Sequence, residues 1–232
     1  MKQIILILTI YWFMVNWGFS QQKDIERGVK SAKNYETMND IKKEIYVFLF
    51  DGYSDWEISY LTPEINKSEK FKLVYFSENG NVVTSMGGLQ VQPTTSLDKL
   101  KFEEIDLLIL PGGTAWEKGE NKKIEKITTD LFEAGKPIAA ICAATTYLGQ
   151  LGLLNDLKHT SNDLIYLKGI ASKYCGDENY QNSLAVTDRN IITANGIAPI
   201  EFAREIFKTI GLYTDDNIEK WYQLFKNGIW SE

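Results

Sequence analysis

The chain has 232 residues, of which 44% are hydrophobic and 12% aromatic, and it carries a formal charge of −6. This length fits one globular domain with an additional N-terminal segment, and the apolar fraction excludes a disordered chain. The acidic balance, without a basic stripe, makes nucleic acid an unexpected partner.

Residues 1–20 have the pattern of a secretory signal peptide. Lys2 precedes an apolar run of about a dozen residues, and small residues follow at Gly18 and Ser20. The run is shorter than the ~20 residues of a spanning helix, so membrane contact is expected only if the segment stays uncleaved as an anchor. The pattern favours export, as a periplasmic or secreted protein. A second account stays open, in which Met38 is the true start of a cytoplasmic protein.

Residues 21–43 are polar and predict a linker, which is followed by a domain over residues 44–228. Continuous apolar runs in this domain are typical of strands buried in a parallel sheet, and they alternate with helical segments. This alternation predicts an α/β fold with a mainly parallel central sheet and right-handed crossovers. The predicted strands are 44–50, 71–77, 106–110, 184–187 and 191–194, with a hairpin over 82–92; the predicted helices are 55–66, which is interrupted near Pro63, 121–134, 199–210 and 215–227.

Residues 137–148 combine a buried strand, a sharp turn at Cys142 and a helix, which is the order of a nucleophile elbow. Such a turn exposes the cysteine above the strand ends, where the positive end of the helix favours a thiolate. We therefore expect the pKa of Cys142 to fall below the free value of about 8.5. From these residues alone, a plain buried cysteine is an equally open interpretation.

Three segments meet at the carboxyl ends of the predicted strands, where α/β sheets bind their ligands. Residues 51–57, which end at Glu57, follow the first strand, Gly112 and Gly113 follow the strand over 106–110, and Cys142 follows the elbow strand. A carboxylate, a glycine pair with approachable N–H groups and a thiol are the parts of an acyl- or carbonyl-handling site.

The remaining cysteine and the single histidine do not extend this site in an obvious way. Cys175 lies in a polar loop, so we expect no disulfide between it and Cys142. Two cysteines and His159 cannot form a structural zinc site by themselves, and we expect neither a metal nor a cofactor.

Four motifs follow one another along the domain: Asp51-Gly…Asp55-Trp-Glu57, Leu110-Pro-Gly-Gly113, Ala139-Ala-Ile-Cys142 and Ala194-Asn-Gly196…Glu201-Phe202. Together and in this order they resemble the ThiJ/PfpI superfamily, which is related to the class I glutamine amidotransferase domain. The similarity covers about residues 43–227 and is greatest to small bacterial members described as proteases or amidotransferase-like proteins. It implies a flavodoxin-like three-layer sandwich that is commonly a homodimer.

The resemblance also implies roles for individual residues. Cys142 would be the reactive nucleophile, Glu57 the acid that is hydrogen-bonded to its sulfur, and the backbone amides of Gly113 and Ala143 the oxyanion donors. A substrate pocket is expected around four further residues, which are Gly112, Trp56, Asn195 and Ser161.

Two departures from the family pattern concern histidine. Peptidase-like members carry histidine directly after the cysteine, where this chain has Ala143, so a peptidase is disfavoured. Several glyoxalase-like members place a histidine after the elbow helix, where our register puts Ser161. His159 lies two residues away, and we expect a core or solvated side chain there rather than a catalytic one.

Without a histidine base, Cys142 and Glu57 have to carry out the proton transfers of the site themselves. An ionised Glu57 would raise the pKa of the thiol, whereas a protonated Glu57 could donate a hydrogen bond to the thiolate and lower it. We favour the second arrangement. The resulting hypothesis is a cysteine-dependent hydrolase or lyase for a small carbonyl or amide substrate, of the glyoxalase, deglycase or amidase type. The alternative is a non-catalytic redox-sensing or chaperone-like protein that uses an oxidisable Cys142.

Overall fold

The computed structural model of the protein describes residues 42–230. The predicted leader over residues 1–20, the alternative start at Met38 and all but the end of the predicted linker lie outside the described residues. Within the described part, no helix is both long and apolar enough to cross a membrane.

A seven-stranded sheet forms the centre of the domain and confirms the predicted α/β fold. In chain order the strands of the domain are Lys43–Phe48 (β1), Phe71–Ser77 (β2), Val83–Thr84 (β3), Gln90–Val91 (β4), Thr95–Ser96 (β5), Ile105–Leu110 (β6), Ile138–Ile141 (β7), Ala185–Asp188 (β8) and Ile191–Ala194 (β9). The strand order in the sheet is β5-β2-β1-β6-β7-β9-β8, and every neighbouring pair is parallel except β8 with β9. The strands β3 and β4 form the predicted hairpin separately from this sheet.

The middle strands are buried on both faces, as their continuous apolar runs predict. All four residues of β7 and the last four of β6 have no exposed surface. Helices flank this sheet and make the domain an α/β sandwich. They are Thr62–Lys67 (α1), Thr114–Glu117 (α2), Glu125–Glu133 (α3), Ala144–Gln150 (α4), Leu164–Ile170 (α5), Pro199–Ile210 (α6) and Asp215–Asn227 (α7).

One predicted helix has different bounds in the structure. The segment over residues 55–66 divides into a single 3₁₀ turn, Asp55–Glu57, and the α-helix α1. Pro63 lies in the first turn of α1, where the missing N–H costs nothing. Proline therefore begins this helix rather than interrupting it. The separate turn before it places Glu57 near the carboxyl ends of the strands.

Candidate active site

Cys142 occupies a strained turn between β7 and α4. Its φ is 61°, a left-handed conformation that costs a residue with a β-carbon about 1–2 kcal/mol. The surroundings hold the turn in place: the Cys142 N–H donates to the Ala194 carbonyl at 2.9 Å, and the Thr145 hydroxyl donates to the Cys142 carbonyl at 2.6 Å. This geometry is that of the predicted elbow.

Glu57 lies directly against the elbow and is completely buried. Its Oε2 accepts a hydrogen bond of 2.6 Å from the Gly112 N–H. A β-carbon on Gly112 would lie 2.7 Å both from Cys142 Cβ and from this Oε2 atom, so only glycine fits between the two side chains. The other oxygen, Oε1, is buried and has no hydrogen-bond partner among residues 42–230, and the side chains of Cys142 and Ser54 lie close enough to the carboxyl group to affect its pKa.

The Glu57 carboxyl group and the Cys142 thiol titrate as a coupled pair. Burial raises the pKa of Glu57 to about 7, although hydrogen bonds from Gly112 and Cys142 oppose the shift. Burial, and then the charge of Glu57, raise the pKa of the Cys142 thiol to about 12, against hydrogen bonds from Asn162 and the Ala143 N–H. The expectation of a lowered thiol pKa from the elbow alone is therefore wrong, because burial and a neighbouring carboxylate outweigh the end of a seven-residue helix.

The pair consequently carries one negative charge over a wide pH range. One proton leaves near neutral pH, whereas the second stays until the solution is strongly basic, because two buried anions in contact repel each other. By these pKa values the remaining proton lies mainly on the Cys142 sulfur, and its transfer to Glu57 gives a minor form of the pair. The form with a protonated Glu57 holds a thiolate.

Asn162 is a site residue that the sequence reasoning missed. Its Nδ2 donates to Cys142 Sγ at 3.4 Å, and its Oδ1 accepts from the Gly196 N–H at 2.9 Å. The second bond fixes which end of the amide faces the sulfur. A β-carbon on Gly196 would lie 2.7 Å from Sγ, so this glycine closes one side of the thiol. In the sequence, only the polar character of residues 159–162, after α4, could have pointed to this residue.

The other predicted pocket residues take different places. Ser161 lies beneath the elbow, 1% exposed, with its hydroxyl 2.6 Å from that of Thr145. Asn195 holds the loop, because its Nδ2 donates to the Asn162 carbonyl at 2.9 Å. Trp56 is 46% exposed beside Glu57, and Gly113 directly precedes α2. Ser161 and Asn195 thus support the loop that carries Asn162.

Comparison with known proteins agrees with the motifs. The profile of the DJ-1/PfpI family matches residues 43–209. The chain belongs to this family.

Several DJ-1/PfpI members are similar over most of the domain. A protein of Bacillus subtilis named "Uncharacterized protease YoaZ" is 40% identical over 191 residues, which is 79% of this chain and 91% of that protein. The crystal structure of a ThiJ/PfpI family protein from Bacillus anthracis superposes with a TM-score of 0.78 at 39% identity, covering 82% of this chain and 92% of that one. "Deglycase TK1284" of Thermococcus kodakarensis is 34% identical over 119 residues, 51% of this chain and 71% of that protein.

His159 is a core residue of this DJ-1/PfpI domain, as expected. It is completely buried, with Nδ1 2.6 Å from the Leu157 carbonyl and Nε2 2.8 Å from the Tyr174 hydroxyl. These partners assign the proton to Nδ1, which donates to the carbonyl, while Nε2 accepts from the tyrosine. Burial also lowers the pKa of the imidazole. Both ring nitrogens are occupied, so neither is free for a substrate.

Cys142 and Cys175 are both free, and Cys175 is exposed. Within residues 42–230, no cluster of three or more histidine, cysteine or acidic side chains could hold a metal ion. The polar groups that the site presents are the Cys142 thiol, the Glu57 carboxyl group and the amides around them.

Proposed function

We propose that the protein is a DJ-1/PfpI enzyme that uses Cys142 as a nucleophile on a small carbonyl or amide substrate, in the manner of a deglycase, glyoxalase or amidase. The observation that carries this proposal is the contact of the elbow cysteine with a buried Glu57 whose pKa is raised to about 7. A group that exchanges a proton near neutral pH beside a nucleophile is what acid–base catalysis needs. The name of the Thermococcus relative, a deglycase, supports this class.

With an aldehyde, the proposed first step uses only the residues of the site. Cys142 Sγ, as the thiolate, forms a bond to the carbonyl carbon while the electrons of the C=O π bond move to oxygen. The Gly113 and Ala143 N–H groups stabilise the developing oxyanion. The proton on Glu57 then moves to this oxygen, which leaves a neutral hemithioacetal and an ionised Glu57.

Asn162 can stabilise the sulfur but cannot protonate a leaving group. Its amide stabilises an anionic sulfur, but it does not gain or lose a proton near neutral pH. His159, the only histidine of the chain, is occupied in the core. Glu57 is therefore the acid that remains for a leaving amine, which favours small carbonyl and activated amide substrates over peptides.

Turnover tests the proposal directly. We expect the purified protein to consume methylglyoxal or a compound from a panel of small amides, and Cys142→Ser to abolish this activity. Cys175→Ser should retain it, because that thiol is exposed and lies outside the elbow. A protein that turns over nothing in the panel, yet adds two oxygens to Cys142 at low peroxide excess, would instead support the redox-sensing alternative.

The shared proton makes a separate prediction for the pH dependence of Cys142 alkylation in a Cys175→Ser background. The rate should rise with an inflection near pH 7, where the pair loses its first proton. Glu57→Gln removes the proton-sharing partner, so this inflection should disappear and the thiol should react appreciably only in more basic solution. A wild-type thiol that reacts only at high pH and that Glu57→Gln activates would contradict the proton-sharing arrangement, because Glu57 would then act as a fixed negative charge.

A further inference from the structure

We propose that a second site, separate from Cys142, binds a small organic anion that has a flat apolar part. The site is a cavity of about 310 Å³ between α2, the start of α3, one face of α4 and the end of α5, a volume at the lower end of the range of ligand pockets. Cys142, Glu57 and Asn162 do not line it. Its lining includes Trp116, Lys118, Asn121, Lys122, Gln150 and Lys173.

The floor of this cavity is aromatic and rigid. The rings of Trp116 and Tyr147 lie 4.7 Å apart at 37°, and both residues are less than a tenth exposed. Their polar tips are already satisfied: Trp116 Nε1 donates to the Pro111 carbonyl at 2.8 Å, and the Tyr147 hydroxyl donates to Thr128 at 3.2 Å. The small part of these two rings that stays exposed is therefore apolar and offers a ligand no hydrogen bond.

The rim of the cavity is rich in cations without partners. Three lysines and two glutamates line it, a net charge of +1. Within the described part of the chain, Lys118, Lys122 and Lys173 form no ion pair. Lys122 also lies in the 3₁₀ turn that leads into α3, where the positive end of a helix disfavours a cation. An anionic ligand would relieve this repulsion.

Some polar side chains of the cavity are already hydrogen-bonded. The Asn121 Nδ2 atom is buried and has no acceptor among residues 42–230, and the Gln150 side chain already uses its oxygen to accept from Ser172. The cavity has two acids. The carboxylate of Glu117 accepts a hydrogen bond of 2.7 Å from the Tyr166 hydroxyl, and the side chain of Glu125 is exposed. With three lysines against two glutamates, the lining favours a ligand that carries a negative charge. A carboxylate or phosphate on a single flat ring system meets these requirements.

Calorimetric titration of the full chain with 2-naphthoate tests this site. We expect saturable binding of one molecule and at least tenfold weaker binding of the neutral isostere 2-naphthamide. The double variant Lys122→Gln/Lys173→Gln should weaken 2-naphthoate binding at least tenfold. The charge-matched double variant Lys70→Gln/Lys99→Gln, at two exposed lysines outside the cavity, should bind like the wild type.

The catalytic cysteine provides the remaining control, because Cys142→Ser should leave the affinity for 2-naphthoate unchanged. Loss of binding in that variant would place the ligand at the elbow and overturn the proposal. The absence of saturable binding would also overturn it, as would equal affinity for the neutral amide or equal weakening in both double variants. None of these results depends on whether the protein turns over a substrate.

Discussion

Asn162 reaches the Cys142 sulfur from a loop that follows the elbow helix, and its position depends on a backbone hydrogen bond. Because the Gly196 N–H points at Oδ1, the NH₂ end of the amide has to face the sulfur. The side chain is therefore a fixed hydrogen-bond donor to the Cys142 sulfur. Unlike an imidazole, this donor keeps the same charge across the physiological pH range.

Removing this donor should slow the thiol reaction. We expect Asn162→Ala to raise the pKa of Cys142 further and to reduce its alkylation rate at pH 7 about fivefold, which corresponds to a hydrogen bond of about 1 kcal/mol. Asn66→Ala, at an exposed position of α1, is the matched control and should react like the wild type. Equal rates in wild type, Asn162→Ala and Asn66→Ala would show that the amide contributes nothing to the anion.

The sequence predicts the parts of the site that follow strands and misses the part that lies in a loop. Glu57, Gly112 and Cys142 each come after a predicted strand, so the topology of a parallel sheet brings them together. Asn162 lies between α4 and α5 in a stretch without periodicity, where sequence spacing carries no information on direction. The coupled pKa values also escaped prediction, because they depend on burial and contact distances rather than on residue order.

At the scale of elements, the hairpin of β8 and β9 turns through two residues, Arg189 and Asn190. Arg189, at the first of the two central positions, has a φ of 51°, whereas Asn190, at the second, does not have a positive φ. This pattern is that of a type II′ turn, which favours glycine at the same position. The arginine thus adopts a strained conformation at the amino end of β9, which is the end of the sheet opposite to the strand ends that carry the site.

Glycine should relieve this strain. We expect Arg189→Gly to raise the free energy of unfolding by about 0.5–1 kcal/mol, because the relief of left-handed strain exceeds the added entropy of the unfolded chain. Chemical denaturation monitored by circular dichroism measures the change. Arg189→Ala keeps the β-carbon and should bring no comparable gain; an equal gain in both variants would assign the effect to the lost charge instead.

The long strands and helices could be predicted because each is long enough to show its pattern of apolar residues. The two short helices α2 and α5 could not. The apolar runs of β6 and β7 and the helix-initiating Pro199 of α6 mark their elements directly. The four residues of α2 are too few to show a helical period. In α5 the N-cap Asp163, whose side chain accepts from the Ile165 and Tyr166 N–H groups, was the available signal.

At the scale of the whole molecule, the buried Glu57 makes stability depend on pH. Its pKa is about 7 in the folded protein and near 4.5 when unfolded, so the folded state binds more protons between these values. The stabilising contribution of the protonated carboxyl is fully present below pH 4.5 and is lost as the pH rises through 7. The buried His159 has the opposite dependence, because its lowered pKa makes protonation favour the unfolded chain as the pH falls.

Replacing the carboxyl should remove one of these two effects. We expect the stability of Glu57→Gln, measured as the free energy of unfolding relative to the wild type, to rise by about 2.5 kcal/mol between pH 5 and pH 8, because the amide has no charge to bury. Glu69→Gln, which removes an exposed acid, should show no such change with pH. Parallel pH profiles for wild type and Glu57→Gln would mean that the carboxyl does not ionise in this range.

The exposed thiol of Cys175 has a practical consequence for any study of assembly. Two copies of the chain that meet in an oxidising solution can join covalently through this sulfur, whereas Cys142 is walled by Gly112 and Gly196. A band of twice the monomer mass on a non-reducing gel would then report surface oxidation rather than a native interface. Cys175→Ser is thus the form in which the self-association expected from the family resemblance should be weighed, by sedimentation under reducing conditions.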